Sequence, residues 1–158
     1  MIFVTVGTQL PFERLMRAVD AWAGAHPAQE VFAQIGASAH TPLHMAWART
    51  LDPEPFRQKF TSASLVVSHA GMGNVLLALE CEKPMIVMPR RFDLGEHRND
   101  HQMATAQWLK ERAGFTVVFD GDELAVALDR TGWTRPSAEQ SPAFVQLLTT
   151  VRDFIAAS

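Results

Sequence analysis

Cysteine is nearly absent: Cys81 is the only one among 158 residues. A lone cysteine excludes an internal disulfide and accords with a reducing cytosol. No block of lysine or arginine occurs and the formal net charge is −3, so the electrostatic footprint of a nucleic-acid binder is missing. No apolar stretch approaches the roughly 20 residues required to cross a bilayer. The opening MIFVTVG has neither a basic n-region nor the apolar length of a signal peptide. Any membrane association is therefore expected to be peripheral or through another protein. Internal repeats and low-complexity tails are lacking as well. What remains is a composition of 47% hydrophobic and 20% charged residues, ordinary for a globular protein. The length is accommodated most simply as one domain over 1–158 with a core of its own.

Within that chain, β-rich and helical patterns alternate. Strands are predicted over 2–6, 30–36, 45–51, 64–68, 84–89 and 115–119. The runs SLVVS and PMIVMP are almost wholly apolar, as strands are when both sheet faces are covered. Between them, Leu15, Met16, Val19 and Trp22 recur at helical spacing and predict a helix over 12–22. Further helices are predicted over 53–62, opened by Pro53 and Pro55, and over 73–82, stopped by Lys83-Pro84. Two more follow over 99–112 and over 122–130, the latter with Asp122 near its start. After a Gly/Pro/Ser-rich connection, Phe144, Leu147, Leu148, Val151 and Ile155 mark a closing amphipathic helix. Alternation of this kind implies right-handed crossovers and an α/β fold with a doubly wound, mainly parallel, Rossmann-like sheet. Ligands of such sheets bind at the carboxyl ends of the strands near the topological switch point. Three polar stretches fall on that edge: Gly7-Thr8-Gln9, residues 68–74 (SHAGMGN) and residues 90–102.

Each stretch has a chemical reading and a plainer one. In SHAGMGN, glycines bring backbone amides close to a ligand. A helix starts there, and its unpaired N–H groups and positive dipole end favour an anion, most naturally a phosphate. His69 adds a donor or a positive charge; in the plainer reading it only caps the turn. Gly7-Thr8-Gln9 offers further amides and a hydroxyl to the same anion, or is an ordinary turn with Thr8 as a local cap. The third stretch combines Arg90, Arg91, Asp93, Glu96, His97, Arg98, Asn99, Asp100, His101 and Gln102. That mixture of carboxylates, amides and imidazoles suits recognition of sugar hydroxyls, although a solvated loop leading into a helix would read alike. His97 and His101 stand four apart, a spacing used by zinc ligands on one helix face. The sequence there is HRNDH rather than HExxH, and no third ligand declares itself, so no metal site is expected.

Taken together, VTVGTQ, SHAGMGN, KPMIVMPRR and GEHRNDHQ resemble the small single-domain glycosyltransferase subunits typified by PssE of bacterial exopolysaccharide synthesis. That family is related to the catalytic half of the eukaryotic enzyme adding the second N-acetylglucosamine to dolichol-linked oligosaccharide. Both correspond to the C-terminal, donor-binding half of GT-B enzymes such as MurG, and the similarity runs from Met1 to about Val118. The resemblance implies that Gly7, Thr8 and Gln9, with His69, Gly71, Met72, Gly73 and Asn74, hold the diphosphate of a UDP-sugar. It matches Asp100, His101 and Gln102 to the sugar-hydroxyl site, and Glu96 and His97 to the bacterial subfamily's own pattern. It also implies transfer without a bound metal or other cofactor. One departure stands out. Many GT-B donor domains carry a ribose-gripping glutamate six residues after the first loop glycine, and here that position is Leu77; Glu80, one turn further on, is the candidate replacement.

The expected function is thus the catalytic, donor-binding subunit of a two-component inverting glycosyltransferase. It would move a hexose or hexuronate from a UDP-sugar to a polyprenyl-linked oligosaccharide, with His69 stabilising the departing UDP. One Rossmann-like domain is half of a GT-B cleft, so a PssD-like, membrane-attached partner is expected to supply the acceptor side. This places the chain in the cytoplasm, peripheral to the membrane. The competing expectation is a non-catalytic, UDP-binding regulatory subunit without sugar preference.

Overall fold

A computed structural model describes residues 1–137 together with 146, 149 and 150. The closing helix expected over 144–155 therefore rests on residues outside this description. Strands form at Ile2–Thr5 (β1), Val31–Gln34 (β2), Ala46–Ala48 (β3), Leu65–His69 (β4), Met85–Met88 (β5) and Phe115–Val117 (β6). Helices form at Glu13–Ala25 (α1), Pro53–Ser62 (α2), Met72–Glu80 (α3), His101–Leu109 (α4) and Gly121–Leu128 (α5), with a 3-10 turn at Phe92–Leu94. Every pairing is parallel, in the order β3-β2-β1-β4-β5-β6. The doubly wound expectation holds, and the switch point lies between β1 and β4, where Ile2 registers with Val31 on one side and Leu65 on the other.

The alternation of strand side chains builds a core on each face. Ile2, Val4, Val67, Ile86 and Met88 pack on one side against Leu15, Met16, Val19 and Trp22 of α1 and Leu124 of α5. The α1 positions are those picked out by helical spacing. Phe3, Val66, Met85 and Val87 face the other way, onto Phe60 of α2, Val75, Ala78 and Leu79 of α3 and Leu109 of α4. Burying both faces is what demands near-continuous apolar strands. β3 is short and largely exposed, as an edge strand can be.

The stop of α3 differs from expectation. α3 ends at Glu80, before Lys83-Pro84. Glu82 takes a left-handed φ of 51°, Lys83 N donates to Ala78 O and Glu82 N to Leu79 O. This Schellman turn closes the helix by satisfying its last carbonyls, so the proline follows the stop rather than causing it. α5 begins at Gly121 with Asp122 in its first turn, as expected; Asp120 caps it, its carboxylate accepting from Glu123 N at 2.8 Å while the Glu123 carboxylate accepts from Phe119 N at 2.7 Å.

Candidate functional site

A cleft of about 620 Å³ opens at the carboxyl edge of the sheet, over the switch point. From the β1 side it is lined by Gly7, Thr8 and Gln9, and from the β4 side by His69, Gly71, Gly73 and Asn74. The segment after β5 contributes Arg90, His97 and Gln102. Leu51, Pro53 and Phe56, around the start of α2, form an apolar wall, and Gln34 lies at the end of β2.

His69 is the last residue of β4, and its ring occupies the space between the two glycine turns. A Cβ on Gly7 would lie 2.9 Å from Nε2, and one on Gly71 would overlap the ring itself. Gly7 also needs its positive φ of 76°, whereas Gly71 has an ordinary φ of −81°. At Gly71, then, glycine is demanded by the neighbouring imidazole rather than by backbone twist. A Cβ on Gly73 would meet nothing within 4 Å.

No side chain caps α3 at Gly71. The first in-helix donor is Val75 N, to Gly71 O, so helix geometry leaves the N–H groups of Met72, Gly73 and Asn74 at the open end. Asn74 turns its amide to Ser68 Oγ at 2.9 Å. Burial pushes the pKa of His69 down to about 3, aided by the guanidinium of Arg90 and by His97. The ring is neutral near pH 7, so of the two expectations for His69, donor or positive charge, the structure provides the donor.

The positive charge belongs to Arg90, which is 2% exposed. Its guanidinium donates to the carbonyls of Val6, Leu10 and Pro11 and lies over the Phe12 ring. Those bonds brace the turn after β1. Burial lowers its pKa to about 10, with Glu96 opposing, so it remains a cation at neutral pH. Open amides, a neutral imidazole and a braced buried cation together suit a diphosphate in a partly desolvated cleft.

The other expected sugar-site residues are dispersed. Glu96 does not line the cleft: its carboxylate grips Arg14 at 2.9 and 3.0 Å and accepts from Arg91 N. Asp100 accepts from Phe92 N at 3.2 Å, and Asn99 from His101 N at 3.0 Å. Asp100 and His101 are exposed and outside the cleft lining. His97 does line it, with a buried Nδ1 that has no partner among the described residues. His97 precedes α4 while His101 begins it, so the pair does not share a helix face. Leu77 packs against the core. Glu80, expected at the ribose, is exposed at the far end of α3 and does not line the cleft. Met72 contributes position through its backbone rather than lining the cleft. Sequence reasoning overlooked Gln34 and the Leu51–Phe56 wall. The signal available was Pro-x-Pro at the carboxyl end of a strand, on the same edge as the three polar stretches.

A profile described as the glycosyltransferase family 28 C-terminal domain matches residues 1–143. This chain belongs to that family. Among curated relatives, the family 28 domain is 41% identical over 88 residues to the UDP-N-acetylglucosamine transferase subunit ALG13 of Eremothecium gossypii. The match covers 54% of this chain and 40% of that protein, so it reaches well under half the relative's length. An NMR solution structure of ALG13 superposes with a TM-score of 0.64 at 18% identity, covering 93% of this chain and 94% of that one. The crystallised glycotransferase of kitacinnamycin superposes with a TM-score of 0.61 at 21% identity, covering 96% of this chain and 38% of that enzyme. Those likenesses establish that the chain shares the α/β fold of one domain of GT-B glycosyltransferases. Among the described residues of the domain, no helix is long and apolar enough to cross a membrane.

Proposed function

We propose that the cleft binds the diphosphate of a UDP-sugar, and that the chain is the donor-binding, catalytic subunit of a PssE-type, two-component inverting glycosyltransferase. The carrying observation is the convergence of the open end of α3, the His69 ring between Gly7 and Gly71, and the buried Arg90. In the reaction, the bond between the sugar's anomeric carbon and the diphosphate oxygen breaks as the acceptor hydroxyl bonds to that carbon. Negative charge grows on the departing UDP, where amides and the His69 N–H offset it. The sugar is a hexose or hexuronate and the acceptor a polyprenyl-linked oligosaccharide of exopolysaccharide synthesis at the cytoplasmic membrane face. A PssD-like subunit supplies membrane attachment, the acceptor side and the general base. That a relative is described as a transferase subunit supports the need for a partner. No metal or other cofactor enters this scheme.

A second reading, a regulatory subunit that binds UDP without sugar preference, draws support from the internal bonds of Glu96 and Asp100. Calorimetry with UDP, UDP-glucose, UDP-galactose and UDP-glucuronate separates the two. The catalytic reading expects one UDP-sugar to bind better than UDP and to be turned over with the partner present. Equal affinities and no transfer would favour the regulatory reading. His69→Ala is expected to lower turnover about a hundredfold, the scale of losing one transition-state donor; unchanged turnover in a folded variant would defeat the leaving-group role.

A further inference from the structure

Gln102, near the start of α4, is buried beneath the cleft. Its Oε1 accepts two backbone N–H bonds, from Ala70 at 3.2 Å and from Arg90 at 3.0 Å. One donor follows β4 and the other follows β5, so the side chain ties both strand ends to the helix. An amide oxygen gripped by two N–H groups cannot exchange places with its NH₂, because the swap would set donor against donor. The NH₂ must therefore face His69, where Nε2 of Gln102 lies 3.1 Å from Nδ1.

An amide NH₂ can only donate. His69 Nδ1 is then the acceptor, and the single proton of the neutral ring resides on Nε2. Nε2 is the ring atom that faces Gly7, as the 2.9 Å approach of a Cβ built there shows. Asn74 Nδ2 gives its short bond, 2.9 Å, to Ser68 Oγ and stands 3.5 Å from Nε2, a much weaker claim on that nitrogen than the 3.1 Å contact of Gln102 on Nδ1. The charged and titratable groups facing the ring are Arg90 and His97, and both oppose a second proton on it.

We propose that Gln102 is a positioning residue that sets the tautomer of His69, so that an N–H rather than a lone pair faces the bound diphosphate. The inference rests on reading the cleft as a diphosphate site. With the opposite tautomer, the same imidazole would present electron density to an anion and repel it. The amide that the family resemblance matched to the sugar thus acts through the histidine.

Long-range proton–nitrogen spectra of the full chain labelled with ¹⁵N-histidine test this without ligand. The wild type is expected to show His69 protonated at Nε2 and bare at Nδ1; protonation at Nδ1 would overturn the proposal outright. Gln102→Glu keeps an acceptor for Ala70 and Arg90 but offers Nδ1 a second acceptor. At pH 9 it is expected to move the proton to Nδ1 and weaken UDP binding roughly tenfold, the loss of one bond to a charged group. As pH falls and the ring becomes an imidazolium, with N–H on both nitrogens, that loss is expected to disappear, whereas wild-type affinity stays level from pH 7 to 9. An unchanged tautomer in Gln102→Glu refutes positioning. Failure of wild-type protein to bind UDP refutes the diphosphate reading instead, while the tautomer result stands independently.

Discussion

Two residues, Ala70 and Gly71, join β4 to α3, whereas residues 89–100 join β5 to α4. Both connections leave the same edge of the sheet, and the longer one holds far more charged side chains. Yet the short connection presents the open helix end and the His69 ring to the cleft. The long one brings Arg90 and His97 to the cleft, but it turns its carboxylates and the Asn99 amide on itself and its neighbours: Glu96 to Arg14 and Arg91, Asp93 to Arg91, Asp100 to Phe92, Asn99 to His101. A long excursion must satisfy its own backbone donors, and nearby carboxylates do so. A two-residue turn has few such demands, and helix geometry leaves its amides open. Most of the polar density of the long loop therefore holds the loop together, and only a small part of it reaches the cleft.

The largest break in this contrast is expected at Arg90, which belongs to the long connection but braces the turn after β1. Arg90→Met removes the donors to three carbonyls, that of Val6 buried and those of Leu10 and Pro11 part-buried, and should cost about 2–4 kcal/mol of stability. Denaturant unfolding measures it, and a loss below 1 kcal/mol would show the brace to be dispensable. Gly71→Ala comes next. Its Cβ would overlap the His69 ring, so stability should fall by about 1–3 kcal/mol, the usual cost of overpacking. Weakened UDP binding should accompany it, since the ring has to move; a variant with native affinity would show that the ring's position is not critical.

Glu96→Ala tests the long connection as a strut. A loss of about 1–2 kcal/mol is expected from its part-buried bonds to Arg14 and Arg91 N. A fall in sugar-dependent donor affinity at full stability would reverse the comparison. The smallest effect is a slope in pH. His69 has a folded pKa lowered to about 3 from an unfolded value near 6.5, so the unfolded chain binds the proton first. Its contribution is fully present above about pH 6.5 and declines as pH falls towards 3, by at most about 1.4 kcal/mol per pH unit. Stability measured at pH 7 and 5.5 should differ less in His69→Asn; an equal slope in both proteins would contradict the neutral buried ring.

Much of this architecture was legible along the chain. Leu15, Met16, Val19 and Trp22 marked α1, and SLVVS and PMIVMP marked the central strands, because burial imposes a period on consecutive residues. Alternation of strand and helix then put three polar turns on one edge. Other features depend on partners far away in sequence. Glu96 is committed by Arg14, 82 positions distant, and no local pattern announces that bond. Leu51 ended the predicted strand over 45–51 and Phe56 lay within the predicted helix over 53–62, and only the sheet order carries them to the cleft wall. The Lys83-Pro84 stop masked a Schellman turn completed one residue before the proline.

By itself the sequence determined the parallel α/β sheet and the edge that carries the cleft. It also determined that SHAGMGN is the turn most worth attention, since apolar periodicity and helix-end chemistry are local properties. The tertiary structure alone decided that Gly71 makes room for His69, that the cation beneath the cleft is Arg90, and that Gln102 addresses the histidine. Those assignments depend on which donors and acceptors meet across β1, β4, β5 and α4, and hydrogen-bond partnership between distant segments has no period to read.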